Sequence, residues 1–139
     1  MKHFLVVLCW IAAVLADDTW TVRHFSELQS VRSKCATTLN VPDDTFSNYQ
    51  KRIFSDSDPL AKAYIKCCFE ELGLFGNNGF YVDRVVSQFG IEASDATRLE
   101  KCAAKIDADT SDEIWVFRAF RCFTKEHTSE FYTQLDVKD

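Results

Sequence analysis

Two adjacent cysteines, Cys67 and Cys68, lie in the middle of residues 63–75, a stretch with the apolar spacing of an amphipathic helix that is followed by a glycine. Consecutive side chains point about 100° apart around a helix, so one thiol can face a neighbouring helix while the other faces elsewhere in the interior. Only one of the two therefore has to form a disulfide. The partner of that disulfide constrains the rest of the fold, and helix geometry alone does not choose between the two thiols.

The first sixteen residues have the features of a secretory signal peptide. Lys2 gives a positive start, residues 4–15 are mostly apolar, and Val14, Leu15 and Ala16 provide the cleavage site. A dozen apolar residues are too few to cross a hydrocarbon core of ~30 Å, which takes about 20 residues in a helix. We predict a signal peptide at residues 1–16, a secreted mature domain at residues 17–139 and no stable membrane anchor.

The cysteine count and the charge of the mature chain restrict its chemistry further. Cys9 is removed with the signal peptide, which leaves five of the six cysteines. In an oxidising compartment, five cysteines predict at most two disulfides and one remaining thiol. The mature chain keeps 15 basic residues against 21 acidic ones. This negative balance argues against a nucleic-acid partner, because binding phosphates requires a basic face.

Apolar residues recur at three- and four-residue spacing along nearly the whole mature chain, and no stretch sustains the strict alternation of a half-buried strand. We therefore predict an all-α domain of about six helices. Capping residues, prolines and glycines mark their ends. The first helix follows Asp18 or Thr19 and ends at residues 40–42, and the others cover about 43–53, 59–75, 80–89, 94–106 and 113–125. The weaker apolar pattern of residues 127–139 does not choose between a lid, a packed strand and a frayed end.

The chain offers few side-chain arrangements for metal binding or catalysis. Asp107 and Asp109 look like the start of a calcium-binding EF-hand loop, but Asp112 and Arg118 replace the glycine and the glutamate that such a loop requires. The two mature histidines lie near opposite ends of the chain, and no Cys-x-x-Cys spacing is present. We therefore expect no metal and no cofactor.

A cysteine pair beside acidic residues also invites comparison with secreted phospholipases. In those enzymes a histidine–aspartate dyad follows the pair closely, whereas Phe69, Glu70 and Glu71 follow it here, so the general base is missing. We therefore predict that the protein is not an enzyme. Aromatic residues make up 14% of the chain, and from composition alone a solid aromatic core and a ligand pocket are equally good interpretations.

The cysteine spacing resembles that of the insect odorant-binding family (PBP/GOBP), and the resemblance covers essentially the whole mature length. In that family the second and third of six cysteines are separated by three residues, and the fifth and sixth by eight. Here Ala63 and Glu113 occupy the second and fifth positions, and Cys67 and Cys122 occupy the third and sixth. The segments KCCFEELGLF and VFRAFRCF also resemble the family. The resemblance implies six or so helices around an apolar cavity.

The two missing cysteines are partners in one bridge of the family, so the chain resembles its four-cysteine branch, called Minus-C. The resemblance implies the bridges Cys35–Cys67 and Cys102–Cys122, with Cys68 as an extra, buried free thiol. Without the third bridge, the third and sixth helices are held together by packing alone. We therefore expect a more deformable pocket than in relatives with six cysteines.

The resulting hypothesis is a secreted, non-enzymatic carrier of small hydrophobic ligands such as odorants, pheromones or fatty-acid-like molecules. A membrane receptor and a homodimer are the macromolecular partners that this hypothesis leaves open. The Tyr64 or Tyr132 hydroxyl could orient a ligand, and titration of His127 could control its release. The candidate lining residues are Leu28, Tyr64, Leu72, Val85, Phe89, Leu99, Trp115, Phe120 and Phe123.

Three alternatives remain open from the sequence. The first is a haemolymph or reproductive-fluid protein that uses the same fold for transport or storage outside olfaction. The second is a lipase-like hydrolase whose active site has no recognisable sequence signature. The third is a helical signalling protein with a solid core that holds no ligand.

Overall fold

The computed structural model of the chain describes residues 19–124. The predicted signal peptide, and the C-terminal tail with His127 and Tyr132, lie outside the described residues. The described part contains six α-helices, a short 3₁₀ helix and a two-stranded antiparallel hairpin. The α-helices are α1 (Phe25–Thr38), α2 (Asp43–Gln50), α3 (Pro59–Glu71), α4 (Val82–Phe89), α5 (Ala96–Ala103) and α6 (Asp112–Thr124), and the 3₁₀ helix is Ala93–Asp95. This architecture confirms the prediction of an all-α fold with about six helices.

The first helix begins later than the sequence predicted. The His24 backbone N–H donates a 2.8 Å hydrogen bond to the Glu27 carboxylate, so α1 starts at Phe25 rather than just after Asp18 or Thr19. The Gln88 side chain holds the preceding segment, because its oxygen accepts from the Arg23 N–H at 2.8 Å and its nitrogen donates to the Arg23 carbonyl at 3.0 Å. Val22, which the predicted start would include in the first helix, lies in this segment and is 45% exposed.

Asp58 connects α2 to α3. One carboxylate oxygen accepts the Leu60 backbone N–H at 2.9 Å and caps α3, in which proline occupies the first turn as predicted. The other oxygen accepts a 2.6 Å hydrogen bond from the hydroxyl of buried Tyr49, near the end of α2. The chain leaves α2 at Gln50, so the predicted extension to Ile53 is wrong and that side chain is 60% exposed.

A small hairpin replaces the predicted end of the third helix and the predicted start of the fourth. Its strands β1 (Phe75–Gly76) and β2 (Gly79–Phe80) pair Phe75 with Phe80 and Gly76 with Gly79. Strands of two residues are too short to show a periodic pattern, whereas the glycines at 76 and 79 by themselves favour a turn between the two predicted helices. Gly79 has a φ of +102°, and a Cβ added there would lie 2.8 Å from the Trp115 ring. Both the backbone angle and the close ring therefore favour glycine.

The centre of the domain is the pair α3 and α6, which pack against each other; α3 also contacts α1, and α5 contacts both α4 and α6. The disulfide Cys35–Cys67 joins α1 to α3, and Cys102–Cys122 joins α5 to α6. With sequence separations of 32 and 20 residues, each crosslink should contribute about 3–4 kcal/mol by restricting the unfolded chain. The predicted extension of α5 to Ile106 is wrong, because α5 ends at Ala103 and Ile106 is 71% exposed.

Replacing Asp58 by alanine should lower the free energy of unfolding by about 2 kcal/mol, because the change removes both the α3 cap and the acceptor for the Tyr49 hydroxyl. Urea unfolding of the wild type, Asp58→Ala, Tyr49→Phe and the double variant measures the two contributions. Asp58→Ala should cost less in the Tyr49→Phe background than in the wild type. Equal costs in the two backgrounds would contradict the coupling between α2 and α3.

Candidate functional site

A cavity of about 80 Å³ lies along the inner face of α3. Tyr64, Cys68 and Leu72 follow one another at four-residue spacing, so their side chains form a single stripe along the helix and its C-terminal end. Residues from α1, α2, the loop that follows α2, α4 and α6 complete the wall. The lining residues are Leu28, Val31, Arg32, Tyr49, Arg52, Phe54, Tyr64, Ile65, Cys68, Phe69, Leu72, Phe89 and Phe120.

The lining divides by exposure into a floor and a rim. We call the buried lining residues the floor; they are Leu28, Tyr49, Tyr64, Ile65, Cys68, Phe69 and Leu72. We call the half-buried lining residues the rim; they are Val31, Arg32, Arg52, Phe54, Phe89 and Phe120. The floor is mainly apolar, with two hydroxyls and a thiol, whereas both charged lining residues belong to the rim. The charged side chains of the lining are therefore confined to its more solvent-exposed part.

Phe69 joins the cavity wall to the aromatic core. Its ring lies edge-on to Phe80 at 5.9 Å and to Phe120 at 6.2 Å, and it stacks with Phe123 at 6.5 Å between centroids. Trp115 lies edge-on to Phe80 at 5.8 Å. These ring contacts form an aromatic cluster that adjoins the floor through Phe69. The abundant aromatic residues are thus divided between this cluster and the wall of the cavity.

The structure brings five of the nine predicted lining residues to this cavity, namely Leu28, Tyr64, Leu72, Phe89 and Phe120. The other four lie elsewhere. Val85, Leu99 and Phe123 are buried in the core, and half-buried Trp115 donates a 2.9 Å hydrogen bond from its indole to the Ala103 carbonyl.

The sequence-based list omitted several residues that border the cavity. Ile65 and Phe69 are four residues apart on α3 and next to predicted members of the list, so helical spacing could have found them. Arg52 and Phe54 lie in the loop between α2 and α3, where no periodic pattern indicates which side chains point inward.

Cys68 is a buried free thiol in the cavity floor, 8% exposed. Burial raises its pKa to about 11, while the Tyr64 hydroxyl and the positive charge of Arg32 act in the opposite direction. Burial also raises the pKa of the Tyr64 hydroxyl, and the neighbouring thiol adds to that effect. Both groups are therefore neutral hydrogen-bond donors at physiological pH rather than nucleophiles.

The described residues contain no group of three or more histidine, cysteine, aspartate or glutamate side chains placed to hold a metal ion. Within residues 19–124, no helix combines the length and apolar character needed to cross a membrane. What the fold does provide is six helices, four of them joined in two pairs by disulfides, around a mainly apolar cavity with a half-buried rim. These features define the class of helical proteins that bind small molecules in their interior.

Comparison with known proteins identifies the family within that class. The chain matches the PBP/GOBP family over residues 17–126. It is 35% identical over 133 residues to Odorant-binding protein 22 of Aedes aegypti, covering 93% of this chain and 94% of the relative. It is 28% identical over 144 residues to General odorant-binding protein 99a of Drosophila melanogaster, covering 99% of both. The chain belongs to the PBP/GOBP family, as the cysteine spacing had indicated.

The raised pKa of Cys68 predicts a loss of stability at alkaline pH. An unfolded thiol releases its proton near its ordinary pKa of 9.0, whereas the folded thiol retains it until about pH 11. The folded state therefore binds more protons between these values, and the free energy of unfolding falls as the pH rises.

The variant Cys68→Ala lacks this contribution. The unfolding free energy of the wild type minus that of the variant should fall by about 2 kcal/mol between pH 8 and pH 10.5. Chemical denaturation at several pH values measures it, and the subtraction cancels the ionisation of the tyrosines to first order. A difference that stays constant across this range would contradict the assignment of a buried, protonated thiol.

Proposed function

We propose that this protein is a secreted, non-enzymatic carrier that binds small hydrophobic molecules, such as odorants, pheromones or fatty-acid-like compounds, in the cavity along α3. The observation that carries the proposal is the buried, mainly apolar floor behind a half-buried rim. Membership of the PBP/GOBP family and two relatives named as odorant-binding proteins support it. Affinity would come from burying apolar ligand surface, at roughly 25 cal/mol per Å² before the cost of ordering.

Secretion, through the signal peptide predicted at residues 1–16, is part of this proposal. The proposal extends to two macromolecular partners, namely a membrane receptor that receives the ligand and a second copy of the chain.

The size of the cavity leads to a second part of the proposal. At about 80 Å³ it is well below the roughly 300–1,000 Å³ of sites for drug-sized molecules. A ligand with a long carbon chain therefore requires α3 and its neighbours to move apart.

We also propose that the chain belongs to the four-cysteine Minus-C branch of the family. The resemblance assigns the two cysteines of the family's third bridge to the positions of Ala63 on α3 and Glu113 on α6, so this chain lacks that bridge.

Within the described residues no disulfide joins α3 to α6, because the two bridges pair α1 with α3 and α5 with α6. The Lys66 ammonium lies 2.7 Å from Glu70 one turn along α3, and the hydrogen bond with Glu70 raises the Lys66 pKa. The negative charges of Glu113 and Asp112 on α6 act in the same direction, so they attract Lys66 across the two helices. Such an attraction between charged side chains resists separation less than a disulfide, and we propose that this end of the two helices opens when a ligand enters.

Filling the floor should abolish ligand uptake. The change Cys68→Leu places extra carbon atoms in the cavity, whereas the control Val85→Leu adds volume at a fully buried site away from it. Native mass spectrometry with a panel of hydrophobic volatiles should detect complexes of the wild type and of Val85→Leu, and none of Cys68→Leu. Both variants should lose a similar 1–3 kcal/mol of stability from overpacking. A wild type that retains no member of the panel would refute the carrier hypothesis.

Restoring the third bridge should narrow the range of ligands. The double variant Ala63→Cys/Glu113→Cys should form a third disulfide, detectable by peptide mapping without reduction. The oxidised variant should exclude the longest ligands that the wild type accepts, and reduction of the new bridge should restore them. The single variant Glu113→Ala, which removes the same carboxylate without a bridge, is the control. An oxidised variant with an unchanged ligand range would contradict the idea that α3 and α6 separate.

A further inference from the structure

Two arginines stand at the rim of an otherwise uncharged cavity. Arg32 comes from α1 and Arg52 from the loop that follows α2, and both are half-buried lining residues. Within residues 19–124, Arg32 forms no hydrogen bond or ion pair. The described part of the chain therefore leaves the five N–H donors of this lining guanidinium without an acceptor. A ligand that presents an acceptor there would satisfy those donors.

Two further donors, the Tyr64 hydroxyl and the Cys68 thiol, line the same cavity as Arg32. The positive charge of Arg32 acts to lower the pKa of both groups, although burial raises each of them overall. The negative charge of Glu71 acts on the thiol in the opposite direction, and its carboxylate is paired with Lys34 at 2.7 Å. The cavity therefore combines a positive charge and hydrogen-bond donors with a floor that is mainly apolar.

We propose that the preferred ligand of this cavity is an amphipathic monoanion: a single alkyl chain that lies on the floor, with a carboxylate that pairs with Arg32 at the rim. The inference rests on the proposed carrier function and selects one chemical class within it. The Arg32 guanidinium can bind both carboxylate oxygens, and the Tyr64 hydroxyl can donate to one of them.

The net charge of the protein does not oppose this assignment at short range. The chain carries a formal charge of −5, but charges separated by more than about 8 Å are largely screened at physiological ionic strength. A carboxylate at the rim is within contact distance of Arg32, where the local positive charge dominates. A neutral alcohol of equal chain length would gain the same apolar burial without this pairing, and a quaternary ammonium head group would be repelled.

Isothermal titration calorimetry with decanoate, 1-decanol and decyltrimethylammonium tests the proposal, because the three ligands have alkyl chains of similar length and differ in head-group charge. The wild type should bind decanoate at least tenfold more tightly than 1-decanol, and decyltrimethylammonium more weakly than either. Raising NaCl from 20 to 500 mM should weaken decanoate binding and leave 1-decanol binding unchanged. Decyl phosphate serves as a fourth ligand, and binding tighter than that of decanoate would overturn the assignment of a carboxylate head group.

The variant Arg32→Gln should lose at least tenfold in decanoate affinity and remain within about twofold of the wild type for 1-decanol. Retained 1-decanol binding shows that the cavity is intact in the variant. Arg32→Lys keeps the charge without the planar fork and should show an intermediate loss. The control Arg118→Gln removes the same charge from an exposed site on α6 that does not line the cavity, and should behave as the wild type.

The outcomes separate this proposal from the carrier function. Equal affinity of the wild type for decanoate and 1-decanol, or parallel losses of both in Arg32→Gln, would overturn the anionic-ligand proposal and leave the carrier function standing. Binding of none of the four compounds, together with failure of the volatile panel, would overturn the carrier function itself.

Discussion

The disulfide between Cys35 and Cys67 fixes the rotation of α3 about its own axis, with the two Cα atoms 5.8 Å apart. Once one side chain of a helix is bonded to a neighbour, the directions of the others follow from the helical repeat. Cys67 points to α1, so Tyr64 and Cys68 face the cavity. The floor of the site, the position of the free thiol and the packing of α6 all depend on this single covalent contact.

The second disulfide, Cys102–Cys122, holds α5 to α6 but does not connect that pair to α3. The helices α3 and α6 pack against each other, and the negative charges of Asp112 and Glu113 on α6 also act on Lys66 of α3. The domain therefore consists of two covalently closed helix pairs, α1 with α3 and α5 with α6, that meet at a non-covalent seam. A cavity along α3 borders this seam through Phe120 of α6, so its volume depends on how closely the pairs approach.

Local sequence signals predicted much of the fold because they act over one or two helical turns. Asp58 and Pro59 mark the start of α3 by capping and by a fixed backbone angle, and the glycine-rich turn at residues 76–79 is present in the structure. The cysteine spacing, through the family resemblance, gave both disulfides and the free thiol. Five of the nine proposed lining residues border the described cavity because they belong to helix faces with a regular apolar repeat.

Contacts between residues distant in sequence decided the features of the fold and of the cavity that local signals did not predict. The extended segment before α1 depends on two hydrogen bonds between the Arg23 backbone and the side chain of Gln88, 65 residues away, which no local pattern encodes. Phe54 reaches the cavity from a loop fixed by Arg121 of α6, which donates to its carbonyl at 2.7 Å. The sequence by itself determined the number and approximate positions of the helices, because periodicity and capping act locally, and the family resemblance of its cysteine spacing indicated which cysteines pair. Only the tertiary structure decided which buried side chains line the cavity along α3 and which lie elsewhere in the core, because that depends on how the faces of several helices meet.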